Sequence, residues 1–466
     1  MLFSGIPFLY YFLPIVLLVY FAAPKSLKNT VLLLSSLFFY AWGEPIYVFL
    51  MILTVAVNYL LGLFIEKFRG RKLSKLFMII SVIFSLGLLG YFKYADFFIA
   101  NFVRLTGLSV NLLNIALPIG ISFYTFQILS YTVDVYRGNV KAQKNPITLG
   151  AYISLFPQLI AGPIVRYSDV EKQLASRTHS FDKAAEGIRR FIIGLSKKIL
   201  LANTLGELCD VFHQGNDLSV LFYWLYAVAF MLQIYFDFSG YSDMAIGLGK
   251  IFGFDFLENF NYPFISKSIS EFWRRWHMSL GSWFRDYVYI PMGGNRVGKL
   301  RLLFNIFTVW FLTGFWHGAE WNFIIWGLYF ALFLLAEKYF LSRLLEKTKV
   351  LNHVYVLFFI IISFIIFSAD GLGQAFNYVG GLFGAGNLPL VSDTFIYSLR
   401  NYGGVLLISI VASTPLVKNL VNSLSSKKAG RICLYILEIP VLLLLLLIAT
   451  GYLADGSFNP FLYFRF

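Results

Sequence analysis

His317 has the most unusual surroundings of the residues in this chain that could do chemistry. It lies in the segment 313–320, between two long apolar runs at 302–316 and 321–336. Together the runs would make roughly 35 residues, or about 50 Å of helix, against a hydrocarbon layer of about 30 Å. A break at the glycine-flanked histidine would instead give two shorter arms. A titratable group at that depth predicts a functional site, and a histidine that caps or packs near the far surface is the alternative.

His277 is the second histidine in a suggestive pattern. Residues 271–290 read EFWRRWHMSLGSWFRDYVYI, in which Trp273, Trp276 and Leu280 recur at helical spacing. This pattern predicts an amphipathic helix at the membrane interface, with His277 on its apolar face and pointing into the protein. The segment leaves two alternatives open: a buried histidine bonded to a carbonyl group, or a polar group that lines a cavity entered from the cytoplasm.

Other chemistries find little support. The chain contains no G-x-S-x-G elbow, its two cysteines form no metal motif, and its five histidines lack zinc-site spacing, so no metal site is predicted. The segment GGNRVGK at 293–299 resembles a phosphate loop, but Leu300 replaces the required Ser or Thr and no strand precedes it. It predicts a tight turn. If the protein is an enzyme, a neutral imidazole is the best candidate for a general base at cellular pH.

Two carboxylates, Asp237 and Asp243, stand between apolar runs. Carboxylates at membrane depth need partners, and the nearest candidates are Arg274, Arg275 and Arg285. We expect structural ion pairs here, with a proton relay as the alternative.

The composition predicts the fold class. Of 466 residues, 58% are hydrophobic and only 13% are charged. Apolar runs of membrane-spanning length recur along the chain, which predicts an all-α, polytopic integral membrane protein with about eleven transmembrane helices plus re-entrant and interfacial helices. The net charge of +14 does not indicate nucleic-acid binding, because the basic residues lie in short loops where they set topology and contact anionic lipids.

The early loops predict the orientation. Lys25, Lys28 and the basic segment 66–75 flank two spans near 30–43 and 45–65 that turn at 42–45. Both basic loops should lie in the cytoplasm, which places the N-terminus outside. Further spans are expected near 77–92, 112–133, 147–164, 188–205, 218–237, 351–368, 402–417 and 434–453. No linker divides the chain, so residues 1–466 are treated as one domain.

Several long strings resemble the membrane-bound O-acyltransferase family, and within it the bacterial alginate O-acetylation branch. They are LPIGISFYTFQILSYTVDVYRG at 117–138, FPQLIAGPIVRY at 156–167, QIYFDFSGYSDMAIGLG at 233–249, FWRRWHMSLGSWFRDYVYIPMGGNR at 272–296 and TGFWHGAEWNFIIWG at 313–327. The resemblance is weak beyond residue 340. It therefore implies a family-like core at 110–340 and accessory C-terminal spans at 341–466.

The resemblance also implies a fold and a site. The fold would be a ring of tilted helices around a thinned centre, with a central tunnel that joins the two histidines. The catalytic histidine of the family falls on His317 and its second histidine on His277. His277 or a nearby hydrogen-bond donor would hold the thioester or its developing oxyanion. The candidate substrate-binding residues in the same strings are Trp273, Trp276, Arg275, Arg285, Trp316 and Asn295.

The implied reaction carries an acyl group, expected to be acetyl, from a cytoplasmic thioester to a hydroxyl group beyond the membrane. The donor would be acetyl-CoA or an acyl-carrier thioester, with no permanently bound cofactor. The acceptor would be a polysaccharide or a secreted or membrane-anchored acetyl-transfer partner, and the location a bacterial inner membrane. The alternatives are D-alanyl transfer from a carrier protein to a cell-wall polymer, and a glycan or lipid transporter, which would show internal repeats.

Overall fold

The protein is all-helical, as its composition predicts. The computed structural model describes residues 1–160, 162–456 and 462, and this part of the chain forms helices and turns with no strand. It divides into two units. The first unit comprises Met1–Phe191 and Met244–Leu257, and the second comprises Ile192–Asp243 and Glu258–Phe466. The prediction of one domain stays a prediction.

Ten α-helices begin in the described part of the first unit. They are α1 (Leu13–Ala22), α2 (Lys28–Gly43), α3 (Tyr47–Lys67), α4 (Lys72–Leu89), α5 (Ala95–Thr106), α6 (Ile121–Arg137), α7 (Pro146–Ser154), α8 (Phe156–Leu159), α9 (Tyr167–Ala175) and α10 (Phe181–Ser196). The predicted turn at 42–45 is confirmed, because α2 ends at Gly43 and α3 begins at Tyr47.

Small polar side chains join the helices of the first unit. The Ser81 hydroxyl donates to Asn58 Oδ1 at 2.6 Å and lies 3.1 Å from the Thr132 hydroxyl. Gly62 lies so close to Tyr131 that an added Cβ would sit 2.9 Å from the phenol oxygen. Small residues and buried hydrogen bonds of this kind hold membrane helices together where the hydrophobic effect cannot.

Twelve α-helices begin in the described part of the second unit. They are α11 (Thr204–Gln214), α12 (Val220–Ile251), α13 (Ile269–Arg275), α14 (Met278–Phe284), α15 (Lys299–His317), α16 (Trp321–Ala336), α17 (Ser342–Lys347), α18 (Leu351–Ser368), α19 (Leu372–Leu382), α20 (Asp393–Ala412), α21 (Leu416–Ser425) and α22 (Lys428–Ala454).

Seven helices in the described residues are long and apolar enough to cross a membrane, so the chain is a multi-pass membrane protein. They are Tyr47–Lys67, Lys72–Thr106, Val220–Ile251, Trp321–Lys347, Leu351–Ser368, Asp393–Ala412 and Lys428–Ala454. A shorter apolar helix covers Pro7–Ala22. The expected count of eleven is not confirmed.

Three predicted spans are not single helices. The run at 402–417 is interrupted between the end of α20 at Ala412 and the start of α21 at Leu416. The run at 147–164 breaks at Leu155, between α7 and α8, because Pro157 lacks the N–H that would continue the helix. The run at 112–133 becomes helical only at Ile121, after a non-helical segment that contains Pro118. Apolar composition alone did not reveal these interruptions.

Candidate active site

The predicted break at His317 is confirmed. Helix α15 ends at His317, Gly318 is extended, and α16 begins at Trp321. The two arms approach closely through glycines. A Cβ on Gly314 would collide with the Phe323 carbonyl, and a Cβ on Gly327 would collide with the Trp310 carbonyl. These glycines let the backbones pack together and fix the end of α15, where His317 lies.

His317 is buried among aromatic rings. Its side chain is 9% exposed. The imidazole lies edge-on to Trp326 and Phe367, at centroid distances of 5.1 and 5.3 Å, and 5.0 Å from the neighbouring Trp316. The surrounding rings restrict how the imidazole can turn.

The segment around His277 departs from the predicted continuous helix. Helix α13 ends at Arg275, Trp276 is extended, His277 takes a left-handed conformation with φ 45°, and α14 starts at Met278. The expectation of a single helix over 271–290 is therefore wrong. The burial of His277 is confirmed, because the side chain is 2% exposed.

The break has a physical cause in the loop that precedes α13. The Asn259 carbonyl accepts from Met278 N–H at 3.0 Å, and its side-chain Oδ1 accepts from Ser279 N–H at 3.3 Å and from the Ser279 hydroxyl at 2.9 Å. Asn261 N–H donates to the Arg275 carbonyl at 2.9 Å. This loop supplies partners that an unbroken helix would have found within itself.

Only one of the two ring nitrogens of His277 has a hydrogen-bond partner among the described residues. Its Nδ1 lies 3.1 Å from Asn259 Oδ1, and its ring lies edge-on to Phe238 at 4.7 Å. The other nitrogen, Nε2, is buried and has no hydrogen-bond partner among the described residues. Burial lowers the pKa of His277 to about 3, so the ring is neutral at cellular pH.

A cavity of about 1450 Å³ opens beside His277 in the second unit. Its wall includes Trp273, Arg285 and Asn295, and does not include Arg275. The charged side chains on the wall are Lys267, Glu271, Arg274, Arg285, Glu337, Lys338, Glu346 and Lys349. The cations outnumber the carboxylates, which suits an anionic ligand.

The cavity extends along one face of α15 toward His317. Ile306, Val309, Trp310 and Thr313 line the wall. His317 does not line it, but stands one helical turn, about 6 Å, beyond Thr313 on the same face. The ring of Trp316 lies 6.1 Å from that of His277 and 5.0 Å from that of His317. The predicted tunnel through both histidines stays a prediction.

The remaining candidate residues have other partners. Arg275 forms an ion pair with Glu271 at 2.9 Å, and Arg285 with Asp286 at 2.7 Å. Asn295 Oδ1 accepts from the Tyr289 hydroxyl at 2.7 Å and from Lys338 Nζ at 2.9 Å. Trp276 and Trp316 are buried and do not line the cavity. Trp276 packs among aromatic side chains, namely Tyr235, Phe260, Phe264, Phe272 and Phe364.

Sequence reasoning missed two residues that build the site. Asn259 organises the break at His277, and only its polarity in the loop at 256–262 could have drawn attention to it. The buried Glu337 carboxylate accepts from Ile269 N–H at 2.5 Å and from the Ser270 N–H and hydroxyl at 2.8 and 2.6 Å. It ties the end of α16 to the start of α13, which carries Trp273. Its position directly after an apolar run was the available signal.

The ion pairs predicted for the carboxylates are present, but the predicted arginine partners are wrong. Asp237 pairs with Lys198 at 2.6 Å, and both side chains are buried. Asp243 pairs with Lys197 at 2.7 Å. Lys197 and Lys198 belong to a π-helical segment at 197–203. This segment, and not the one that carries the predicted arginines, supplies the cations that pair with the two carboxylates on α12. The segment at 293–299 is a tight turn, as predicted.

These features define a class: a multi-pass helical membrane protein with a buried histidine at a helical hairpin and a second one on a cavity wall. A sequence model of the family described as membrane-bound O-acyltransferase matches residues 141–373. The probable alginate O-acetylase AlgI of Azotobacter vinelandii is 41% identical over 396 residues, covering 84% of this chain and 79% of that protein. The chain belongs to the membrane-bound O-acyltransferase family, and it is an O-acyltransferase.

Two further relatives are named for other activities. The peptidoglycan O-acetyltransferase of Helicobacter pylori is 35% identical over 427 residues, covering 84% of this chain and 81% of that protein. The teichoic acid D-alanyltransferase of Bacillus subtilis is 32% identical over 285 residues, covering 56% of this chain and 70% of that protein.

Proposed function

We propose that this protein moves an acetyl group from a cytoplasmic thioester to a hydroxyl group on the far side of a bacterial inner membrane. The observation that carries the proposal is the cavity beside His277, whose wall follows one face of α15 to Thr313, one turn short of His317. A donor that fills the cavity would bring its reactive end toward His317.

In the proposed step His317 is the general base. Its neutral imidazole takes the proton from the acceptor hydroxyl as the oxygen attacks the thioester carbonyl carbon. The new C–O bond forms an ester and the C–S bond breaks. The leaving thiolate takes the proton that His317 had accepted, so the free thiol departs toward the cytoplasm and the imidazole is neutral again. The aromatic rings around His317 exclude water, which would otherwise compete with the acceptor hydroxyl.

The donor is a substrate and not a resident cofactor. Acetyl-CoA is the first candidate, because its phosphate groups complement cations such as Lys267, Arg274 and Lys349 on the cavity wall. An acyl group on a carrier protein is the second candidate, favoured by the similarity to a teichoic acid D-alanyltransferase.

The acceptor is proposed to be a polysaccharide hydroxyl, or a hydroxyl on a secreted or membrane-anchored partner that passes the acetyl group onward. The relatives named for alginate and peptidoglycan support a carbohydrate polymer.

The test is donor selection by the purified protein in lipid nanodiscs. Labelled acetyl-CoA and a D-alanyl-loaded carrier protein are supplied separately with isolated cell-surface polysaccharide. Release of free thiol and incorporation of label into ester are both measured. We expect the two signals in equal amounts with acetyl-CoA. Transfer from the carrier alone would shift the function to D-alanylation, and transfer from neither donor would contradict the proposal.

A further inference from the structure

Two buried polar atoms on the cavity wall have no hydrogen-bond partner among the described residues. They are Nε2 of His277 and the indole Nε1 of Trp273. Buried polar groups are nearly always paired, so each of these atoms needs an explanation. An indole N–H can only donate a hydrogen bond. The role of His277 Nε2 depends on where the imidazole carries its proton.

Asn259 settles the position of that proton. Its Nδ2 donates to the Ser242 hydroxyl at 3.0 Å, and its Oδ1 accepts from the Ser279 backbone N–H at 3.3 Å. A flipped amide would place its NH2 group against that N–H, donor against donor, so the orientation is fixed. Oδ1 is then an acceptor toward His277 as well, and Nδ1, 3.1 Å away, must carry the hydrogen. In a neutral ring Nε2 is left with a lone pair and no hydrogen.

The wall therefore offers one unpartnered acceptor and one unpartnered donor. We propose that His277 Nε2 and Trp273 Nε1 bind a secondary amide of the thioester donor, His277 accepting from the amide N–H and Trp273 donating to the amide carbonyl. Asn259 is a positioning residue that holds the required tautomer. This inference rests on the proposed function, because it takes the occupant of the cavity to be the donor.

The chemistry fits a donor whose thioester hangs from an amide-containing arm. Coenzyme A and the prosthetic arm of acyl carrier proteins both have secondary amides close to the sulfur atom, so the shared group is the amide. The proposed tautomer also argues against one expected role. A neutral His277 with its hydrogen on Nδ1 cannot donate from Nε2 to a developing oxyanion.

Paired analogues test the amide directly. Two unreactive thioether analogues of acetyl-CoA are compared. One keeps the secondary amide close to the sulfur atom, and in the other an oxygen atom replaces the N–H of that amide, which makes it an ester. Affinity is measured by calorimetric titration of the protein in detergent. The wild type should bind the amide roughly 3- to 10-fold more tightly. The His277→Phe variant should bind both analogues about equally. The Trp273→Phe variant should bind both more weakly and keep the preference, because the carbonyl that Trp273 contacts is present in both analogues.

Trp224→Phe is the matched control. The Trp224 indole donates to the Leu382 carbonyl at 2.9 Å and does not line the cavity. This variant should keep the wild-type preference. Equal affinities in the wild type, or an undiminished preference in His277→Phe, would overturn the inference alone. Failure of both analogues to bind the wild type would overturn the proposed donor as well. Competition by free CoA or by carrier protein identifies the natural source of the amide.

A spectroscopic readout isolates the role of Asn259. Solid-state NMR of protein labelled with ¹⁵N-histidine reports which ring nitrogen carries the proton, and the His277 signals are assigned by their loss in His277→Phe. We expect protonated Nδ1 in the wild type and in Asn259→Asp, which keeps the acceptor oxygen. Asn259→Leu should give mixed tautomers and a weaker amide preference. A wild-type ring with its proton on Nε2 would refute the assignment.

Discussion

The pKa of His179 is set by the residues around it. The Tyr20 hydroxyl donates to the Phe252 carbonyl at 3.0 Å and lies 3.0 Å from His179 Nε2. The Arg177 guanidinium donates to the same hydroxyl at 3.2 Å. Burial, followed by the nearby charges of Lys28 and Arg177, lowers the pKa of His179. The folded protein therefore favours the neutral ring.

This shift predicts a loss of stability in acid. A histidine whose pKa is lower in the folded state stabilises the fold above its unfolded pKa of about 6.5, and that contribution disappears as the pH falls below this value. Thermal unfolding of the wild type should therefore shift to lower temperature from pH 7 to pH 5. His179→Gln should flatten this part of the profile, as should Lys28→Gln to a smaller degree. Lys25→Gln is the control, and an unchanged profile in His179→Gln would contradict the argument.

The Lys198–Asp237 pair is the other residue-scale feature with a large expected effect. Both side chains are buried, and Asp237 Oδ2 also accepts from the Leu462 N–H at 3.1 Å. Asp237→Asn leaves a buried ammonium without its counter-ion and should cost about 3–5 kcal/mol in the free energy of unfolding. The Lys198→Met/Asp237→Leu double variant should recover most of that loss. Chemical denaturation in detergent measures both, and a double variant no better than the single one would argue against ion pairing as the cause.

At the scale of elements, the α15–α16 hairpin sets the position of His317. Its closest approach depends on Gly327, whose missing side chain leaves room for the Trp310 carbonyl. Gly327→Ala should push the arms apart at a cost of about 1–3 kcal/mol and should lower acyl transfer beyond what the lost stability explains. Gly403→Ala is the control, because a Cβ there meets nothing within 4 Å. Thermal unfolding and transfer rate are measured on the same preparations. Full activity in Gly327→Ala would show that the close approach is not needed.

The elements also show what the sequence can and cannot predict. The break at His317 was predictable because the helical length exceeds a membrane span and a glycine follows the histidine. The break at Trp276 and His277 was not, because hydrogen bonds from the distant Asn259 and Asn261 create it. The periodicity of a sequence reports only the preference of that segment for a helix. Hydrogen bonds to a residue some 20 positions away in the chain can override this preference. The lysine partners of Asp237 and Asp243 were missed for the same reason.

At the scale of the whole molecule, the loop charges predict the orientation. Single cysteines at Ser26 and Pro45 test it in a background with Cys209 and Cys433 replaced by serine. We expect Pro45→Cys to react with an impermeant maleimide in intact cells and Ser26→Cys to react only after lysis, because basic loops face the cytoplasm. The reverse pattern would contradict the predicted orientation of these loops.

The class of fold and the family were also predictable from the whole sequence, because apolar composition and long distinctive strings carry both. The number of spans was not. Seven described helices meet the length and composition of a span, whereas about eleven were expected from apolar runs. A segment that fills the protein interior has the same high hydropathy as one that faces lipid. Hydropathy alone therefore cannot separate the two.

We propose that His317 is the general base, and replacing its side chain is the sharpest experiment on that role. Wild type and His317→Ala are purified, and their thermal unfolding temperatures are checked to be the same. The two proteins are then compared for acyl transfer from acetyl-CoA to the acceptor polymer. We expect a fall of about 10²–10⁴-fold in rate with an intact fold. Transfer by His317→Ala at a near-native rate would contradict it.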